Sequence, residues 1–217
     1  MTEIQSRWQQ LQQRLPAGVN LLAVSKMQPA SAVRELAACG QRDFGESRVQ
    51  EALPKQEALA DLSDLRWHFI GRLQANKVRS VVKAFSWIHS IDSLALAERS
   101  SRIALEEGRR PSVLFQVKLR PDPSKGGWDP QSLREAWPEL SQLPGLNVSG
   151  LMTMAPLGLD LRERQTLFRD CRNLVDELDL TQCSMGMSGD WPEAAAAGAT
   201  WVRVGSALFG VRPASPT

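Results

Sequence analysis

Eight short apolar runs, each followed by a stretch with helical spacing, recur along this chain, and few folds accommodate that alternation. The runs are NLLAVS (20–25), RDFG (42–45), RWHFIG (66–71), WIHSI (87–91), SVLFQVK (112–118), NVSGLM (147–152), QCSMGM (182–187) and WVRVG (201–205). The segments between them carry helix punctuation. Pro29 suits a first helical turn, with Gly40 just past its end; Ser93 can cap a helix that stops at Gly108. Leu167, Phe168, Cys171, Leu174, Val175 and Leu178 form one apolar stripe. Asp190 and Glu193 fit a capping box, and Pro54 is expected to split the segment from Ser47 to Ala60 into two short helices. Buried strands alternating with helices build a parallel sheet, and a count of eight favours closure into a single α/β domain, a (β/α)8 TIM barrel. An extra N-terminal helix carrying Ile4, Trp8, Leu11 and Leu15 precedes it. Residues 1–18 are expected to be that helix and its linker, and residues 213–217 a disordered tail.

Composition narrows what such a barrel can do. The net charge is only +2, with basic residues scattered along the chain, so a nucleic-acid footprint is not expected. No apolar run approaches the ~20 residues of a membrane span, and the polar start MTEIQSRWQQ lacks a secretory apolar stretch, so the expected home is the cytoplasm. Cys39, Cys171 and Cys183 are widely spaced, which points to neither a disulfide framework nor a zinc site. The chain contains no tyrosine, which excludes any mechanism that needs a phenol from this chain as acid or base.

In this fold, ligands are held at the carboxyl ends of the strands. Lys26 ends the first apolar run; at the barrel mouth, desolvation would lower its pKa and free the amine to form a Schiff base with an aldehyde. A surface lysine just past a strand is the plainer alternative. Gly205 and Ser206, after the eighth run, offer amides, a hydroxyl and a helix start to a phosphate. Arg203 lies inside that run, and a guanidinium within a barrel implies a buried acceptor, either a ligand or another strand's carboxylate. Ser184 and Gly186 would complete a phosphate cup from the seventh run; the alternative is a plain strand with a capped turn. His68 and His89 read as satisfied core residues, and Met152 and Met154 as barrel filling. Glu46 and Asp92 stand at strand ends without an evident partner, and Lys77 and Lys125 read as solvated loop lysines.

Taken together, AVSK (23–26), DFGESRVQEAL (43–53), WHFIGRLQANK (67–77), HSIDS (89–93), SKGG (124–127), GLMTMAP (150–156), SMGMSGDW (184–191) and WVRVGSALFG (201–210) resemble the pyridoxal 5′-phosphate homeostasis protein family. That family is itself similar to the barrel domain of bacterial alanine racemase. The resemblance implies a fold-type III barrel whose cofactor, pyridoxal 5′-phosphate (PLP), is joined to Lys26 as a Schiff base. It implies that Ser184, Gly205 and Ser206 hold the phosphate, that Arg203 faces the pyridine nitrogen, and that Ser47, His89 and Met152 belong to the cofactor pocket. Ser47 and Lys118 stand where the family commonly has asparagine. An arginine at the pyridine nitrogen keeps it unprotonated, so the ring is a poor electron sink. The resemblance thus implies a monomeric binder and carrier of the cofactor, serving vitamin B6 and amino-acid/keto-acid balance, with PLP-dependent client enzymes as partners. The rivals are a weak PLP-dependent racemase or decarboxylase and a Schiff-base aldolase.

Overall fold

The computed structural model describes residues 1–210. Eight parallel strands close into a barrel in chain order, β8 pairing back on β1. The strands are β1 (Asn20–Val24), β2 (Asp43–Glu46), β3 (Arg66–Phe69), β4 (Trp87–Ile91), β5 (Ser112–Gln116), β6 (Asn147–Met152), β7 (Gln182–Met187) and β8 (Trp201–Val204). The helices are α1 (Glu3–Arg14), α2 (Ala30–Ala38), α3 (Val49–Glu57), α4 (Val78–Ala84), α5 (Leu94–Glu106), α6 (Pro130–Leu140), α7 (Leu161–Glu177), α8 (Trp191–Ala196) and α9 (Ser206–Phe209). Each apolar run is therefore a strand within a residue or two of its expected bounds. The expected tail at 213–217 lies outside the described residues.

The helix starts follow from side-chain chemistry. Thr2 and Gln5 form a capping box on α1, as Asp160 and Glu163 do on α7. Ser93 accepts from the Leu96 amide at the start of α5, and Asp129 caps α6 ahead of Pro130. Because α9 is a single turn, the barrel's last stave lacks a full covering helix; α1 lies there, packed on α2 and α9.

Two expectations fail. Pro54 does not divide its segment: α3 runs continuously from Val49 to Glu57 with Pro54 inside. A proline there removes one hydrogen bond, and packing of Val49, Ala52 and Lys55 against the barrel holds the helix together regardless. Asp190 and Glu193 do not form a capping box. The Asp190 carboxylate instead turns back to accept from the Met187 amide at 2.6 Å, and Glu193 pairs with Arg164.

The apolar interior divides in two. A continuous cluster including Phe44, Phe69, Phe85, Val113, Phe115, Phe168 and Val202 fills the space between sheet and helices. Inside the barrel, the floor is closed by aromatic rings. His68 stacks on Trp87 with centroids 5.4 Å apart, and Trp201 lies 4.9 Å from His68 and 5.6 Å from Trp87.

Candidate functional site

The carboxyl ends of β1, β2 and β8 bring four of the sequence-predicted residues, Lys26, Ser47, Gly205 and Ser206, to adjoining staves. Val24 is in register with Gly45, so Lys26 and Ser47, each two residues further on, end neighbouring staves. Gly205 follows β8 on the other side of β1, where a Cβ would stand 3.4 Å from the Val24 carbonyl oxygen. Lys26 is half-buried in the turn that leaves β1, and Met27 beside it has φ +62°, an uncommon conformation for a non-glycine residue.

That turn is held from outside the barrel by a buried ionic group. Lys55, on α3, donates to the Ser25 carbonyl at 2.8 Å and to the Glu46 carboxylate at 2.6 Å. The Ser25 hydroxyl donates to the same Glu46 oxygen at 2.6 Å, and the Met27 amide donates to Glu51. Burial pushes the Glu46 carboxyl up from its ordinary value, with Lys55 and Ser25 opposing. Glu46 is thus not the partnerless strand-end carboxylate that the sequence suggested. Its partner sits nine residues on, inside a helix, and no local motif marks it.

The residues expected to form a phosphate cup are not all arranged together. Ser184 is fully buried within the barrel, its hydroxyl engaged with His89 at 3.0 Å and Arg203 at 2.9 Å. The hydroxyl beside Gly205 is Ser188's, which lies 3.3 Å from both the Gly205 and Ala207 amides and accepts from them. Gly186 makes this possible: at φ +85° it turns the chain over α8, where a Cβ would meet Ala194 at 2.5 Å. The signal for Ser188 was the SMGMSGD string (184–190), in which the second serine, two residues past Gly186, clears the strand. Ser206 is exposed at the start of α9.

Beneath the mouth runs a chain of buried polar groups. Arg203 is 5 % exposed and donates to Ser184 Oγ and, at 2.8 Å, to the Thr153 carbonyl. It makes no ion pair among the described residues, so another strand's carboxylate is not its direct partner. Burial pulls its pKa down to about 10, which still leaves it charged at neutral pH. His89 and His68 approach each other to 3.0 Å, and His68 lies 3.1 Å from Asp43. The two histidines are joined core residues, with burial lowering both pKa values. Met152 is buried at the end of β6, in register with Ser184 and outside the helix-facing cluster.

The remaining candidates lie apart. Lys125 is not a solvated loop lysine: it donates to the Ala155 carbonyl at 3.1 Å and pairs with Asp122. Lys77 ends a single 3₁₀ turn (Ala75–Lys77), and Asp92 lines an open groove with Arg72 and Arg99. Cys171 and Cys183 are buried 3.7 Å apart, packed as small apolar groups. Among the described residues, no cluster of His, Cys, Asp or Glu could hold a metal ion, and no helix is long and apolar enough to cross a membrane.

At adjoining strand ends, then, stand a lysine, two amides and a hydroxyl, with a guanidinium buried in the barrel beneath. This donor set suits a small molecule that carries both a phosphate and an aldehyde. Comparison with known proteins gives the same direction. Residues 1–213 match the family described as alanine racemase, N-terminal domain. A protein of Synechocystis sp. named pyridoxal phosphate homeostasis protein is 50 % identical over 204 residues, spanning 91 % of this chain and 94 % of that one. One of Pseudomonas aeruginosa with the same name is 46 % identical, spanning 92 % and 87 %. Among solved structures, PipY of Synechococcus elongatus with PLP bound superposes with a TM-score of 0.93 at 54 % identity, covering 96 % of this chain and 100 % of PipY. Alanine racemase of Clostridium difficile, at 15 % identity and a TM-score of 0.77, shares the fold over 57 % of its own length.

Proposed function

Because the chain belongs to the alanine racemase N-terminal domain family and, within it, to the pyridoxal phosphate homeostasis proteins, we propose that it binds pyridoxal 5′-phosphate at the mouth of its barrel and takes part in the homeostasis of that cofactor. The observation that carries this reading is that Lys26, Ser188 and the Gly205 and Ala207 amides lie at adjoining strand ends, with Ser188 bonded to both amides. When bound, the group supplies a reactive aldehyde on an electron-withdrawing ring. Lys26 is the residue to hold the aldehyde, reversibly and covalently, in a turn fixed by Lys55 and Glu51. The Gly205 and Ala207 amides, with Ser188 and Ser206, hold the phosphate. Ser47, at the neighbouring strand end, belongs to the rim, and Met152 and His89 to the wall and base.

The same geometry favours holding over turnover. Arg203 presents a fixed positive charge beneath the mouth, which discourages protonation of the pyridine nitrogen and so leaves carbanion chemistry weakly supported. No tyrosine exists in the chain to serve as a second acid or base. We therefore read the protein as a binder and donor of the cofactor, with PLP-dependent enzymes as its clients, acting in the cytoplasm as a monomer.

The decisive experiment is an absorbance spectrum of the purified protein mixed with pyridoxal 5′-phosphate, before and after borohydride reduction, with the modified peptide mapped. A visible band that reduction abolishes, with the added mass on Lys26 and lost in Lys26→Ala, is expected. Mass on another lysine, or none, overturns the assignment.

A further inference from the structure

Arg203 carries its charge into the barrel without a carboxylate in contact; Asp190, in the turn after β7, acts on it through space and not through a hydrogen bond. A second carboxylate, Asp43, is reached from it by a chain of hydrogen bonds. Asp43 lies at the start of β2, on the barrel floor, and also pairs with the outward-facing Arg66 at 2.6 Å. Burial raises its carboxyl pKa, but the hydrogen bonds from His68 and Arg66 outweigh that and hold it below the ordinary carboxylate range. It is therefore ionised at neutral pH and can only accept.

Each proton along the chain is then determined in turn. Because Asp43 accepts, His68 Nε2 bears hydrogen, and the neutral ring has its lone pair on Nδ1. That lone pair faces His89 Nε2 at 3.0 Å, so His89 donates there and keeps its own lone pair on Nδ1. The Ser184 hydroxyl, 3.0 Å away, must give its hydrogen to that nitrogen, and its oxygen accepts from Arg203. Four hydrogen bonds thus point one way, from the guanidinium to the carboxylate. No member has a spare or missing proton.

We propose that Asp43, His68, His89 and Ser184 form a directed relay that delivers the Asp43 counter-charge to Arg203, making Asp43 and the two histidines positioning residues for the guanidinium under the mouth. Polarisation along such a chain strengthens each bond and fixes the guanidinium plane. Its consequence for ligand affinity rests on the reading of the mouth as a pyridoxal phosphate site; the relay itself does not.

The test begins with the protein alone. The chain has only two histidines, so ¹⁵N spectra of the ligand-free protein report both rings directly. At neutral pH both are expected neutral with hydrogen on Nε2. A ring protonated on Nδ1, or a doubly protonated His68 paired with Asp43, reverses the direction and overturns the proposal. The second arm uses pyridoxal 5′-phosphate. Asp43→Asn should weaken binding on the order of tenfold and shift the pH profile of the bound chromophore. Glutamine can accept at its oxygen and donate at its nitrogen, so His89→Gln should retain most of the affinity where His89→Leu, closer to a pure volume filler, loses it. Wild-type affinity and spectrum in folded His89→Leu overturn the relay. If the wild-type protein takes up no pyridoxal phosphate, the functional reading falls, and the ring tautomers alone decide the relay.

Discussion

Ser188 and Lys55 show how single side chains carry the site without touching one another. Ser188 accepts from the Gly205 and Ala207 amides, the pair proposed above to hold the phosphate. Ser188→Ala should weaken pyridoxal 5′-phosphate binding roughly tenfold while leaving pyridoxal, which lacks the phosphate, unaffected; titration calorimetry with both ligands checks it. Lys55 is 6 % exposed at its side chain and answers a Glu46 carboxylate that is fully buried. Lys55→Met leaves that charge alone and should cost about 3–5 kcal/mol in urea unfolding, whereas adding Glu46→Gln to it should recover most of the loss. The place of Lys26 at a strand end was legible in the sequence, two residues past the end of β1, whereas the choice of its proposed role came only from the family resemblance. The Lys55–Glu46 pair was not, because a strand end and a mid-helix position meet only when α3 folds back on the barrel. Ser184 was misplaced for a related reason: it lies within its strand, two residues short of the turn, where the barrel interior claims it.

The elements were largely predictable because hydrophobic period and punctuation agree along most of the chain. β4, β6 and β7 coincide with their apolar runs, and Ser93 caps α5 as its position before an apolar stripe implies. Pro54 and Asp190 are the exceptions, and in both tertiary contact overrides a local rule. α3 tolerates its proline because its buried face is already fixed, and Asp190 spends its carboxylate on the β7–α8 turn. That turn has a narrow tolerance. A methyl group at position 186 would stand 2.5 Å from the Ala194 side chain and 2.9 Å from the Trp191 backbone, on a residue with φ +85°. Gly186→Ala should therefore destabilise the protein by about 2–4 kcal/mol, combining overpacking with an unfavourable backbone. It should also displace Ser188 and weaken phosphate binding in the same variant. Unchanged thermal unfolding in Gly186→Ala would mean that α8 can shift away without cost.

For the molecule entire, two neutral imidazoles in the interior set the response to acid. Burial lowers both folded pKa values below the ordinary imidazole value, so the unfolded chain binds more protons than the folded one once the pH drops. Their contribution is complete above about pH 6.5 and is lost as the pH falls below it, at up to about 1.4 kcal/mol per pH unit for each ring. Glu46 acts with the opposite sign, its raised folded pKa favouring the folded state in acid, and so blunts the fall. Urea unfolding across this range should show a decline that is about half as steep in His89→Gln. The closed floor has a different kind of consequence. With Trp87, His68 and Trp201 sealing one end, the barrel is a cup and not a conduit. Whatever occupies it arrives and departs by one opening, so a newcomer waits for the present tenant to leave. Delivery to any recipient can then proceed no faster than that departure.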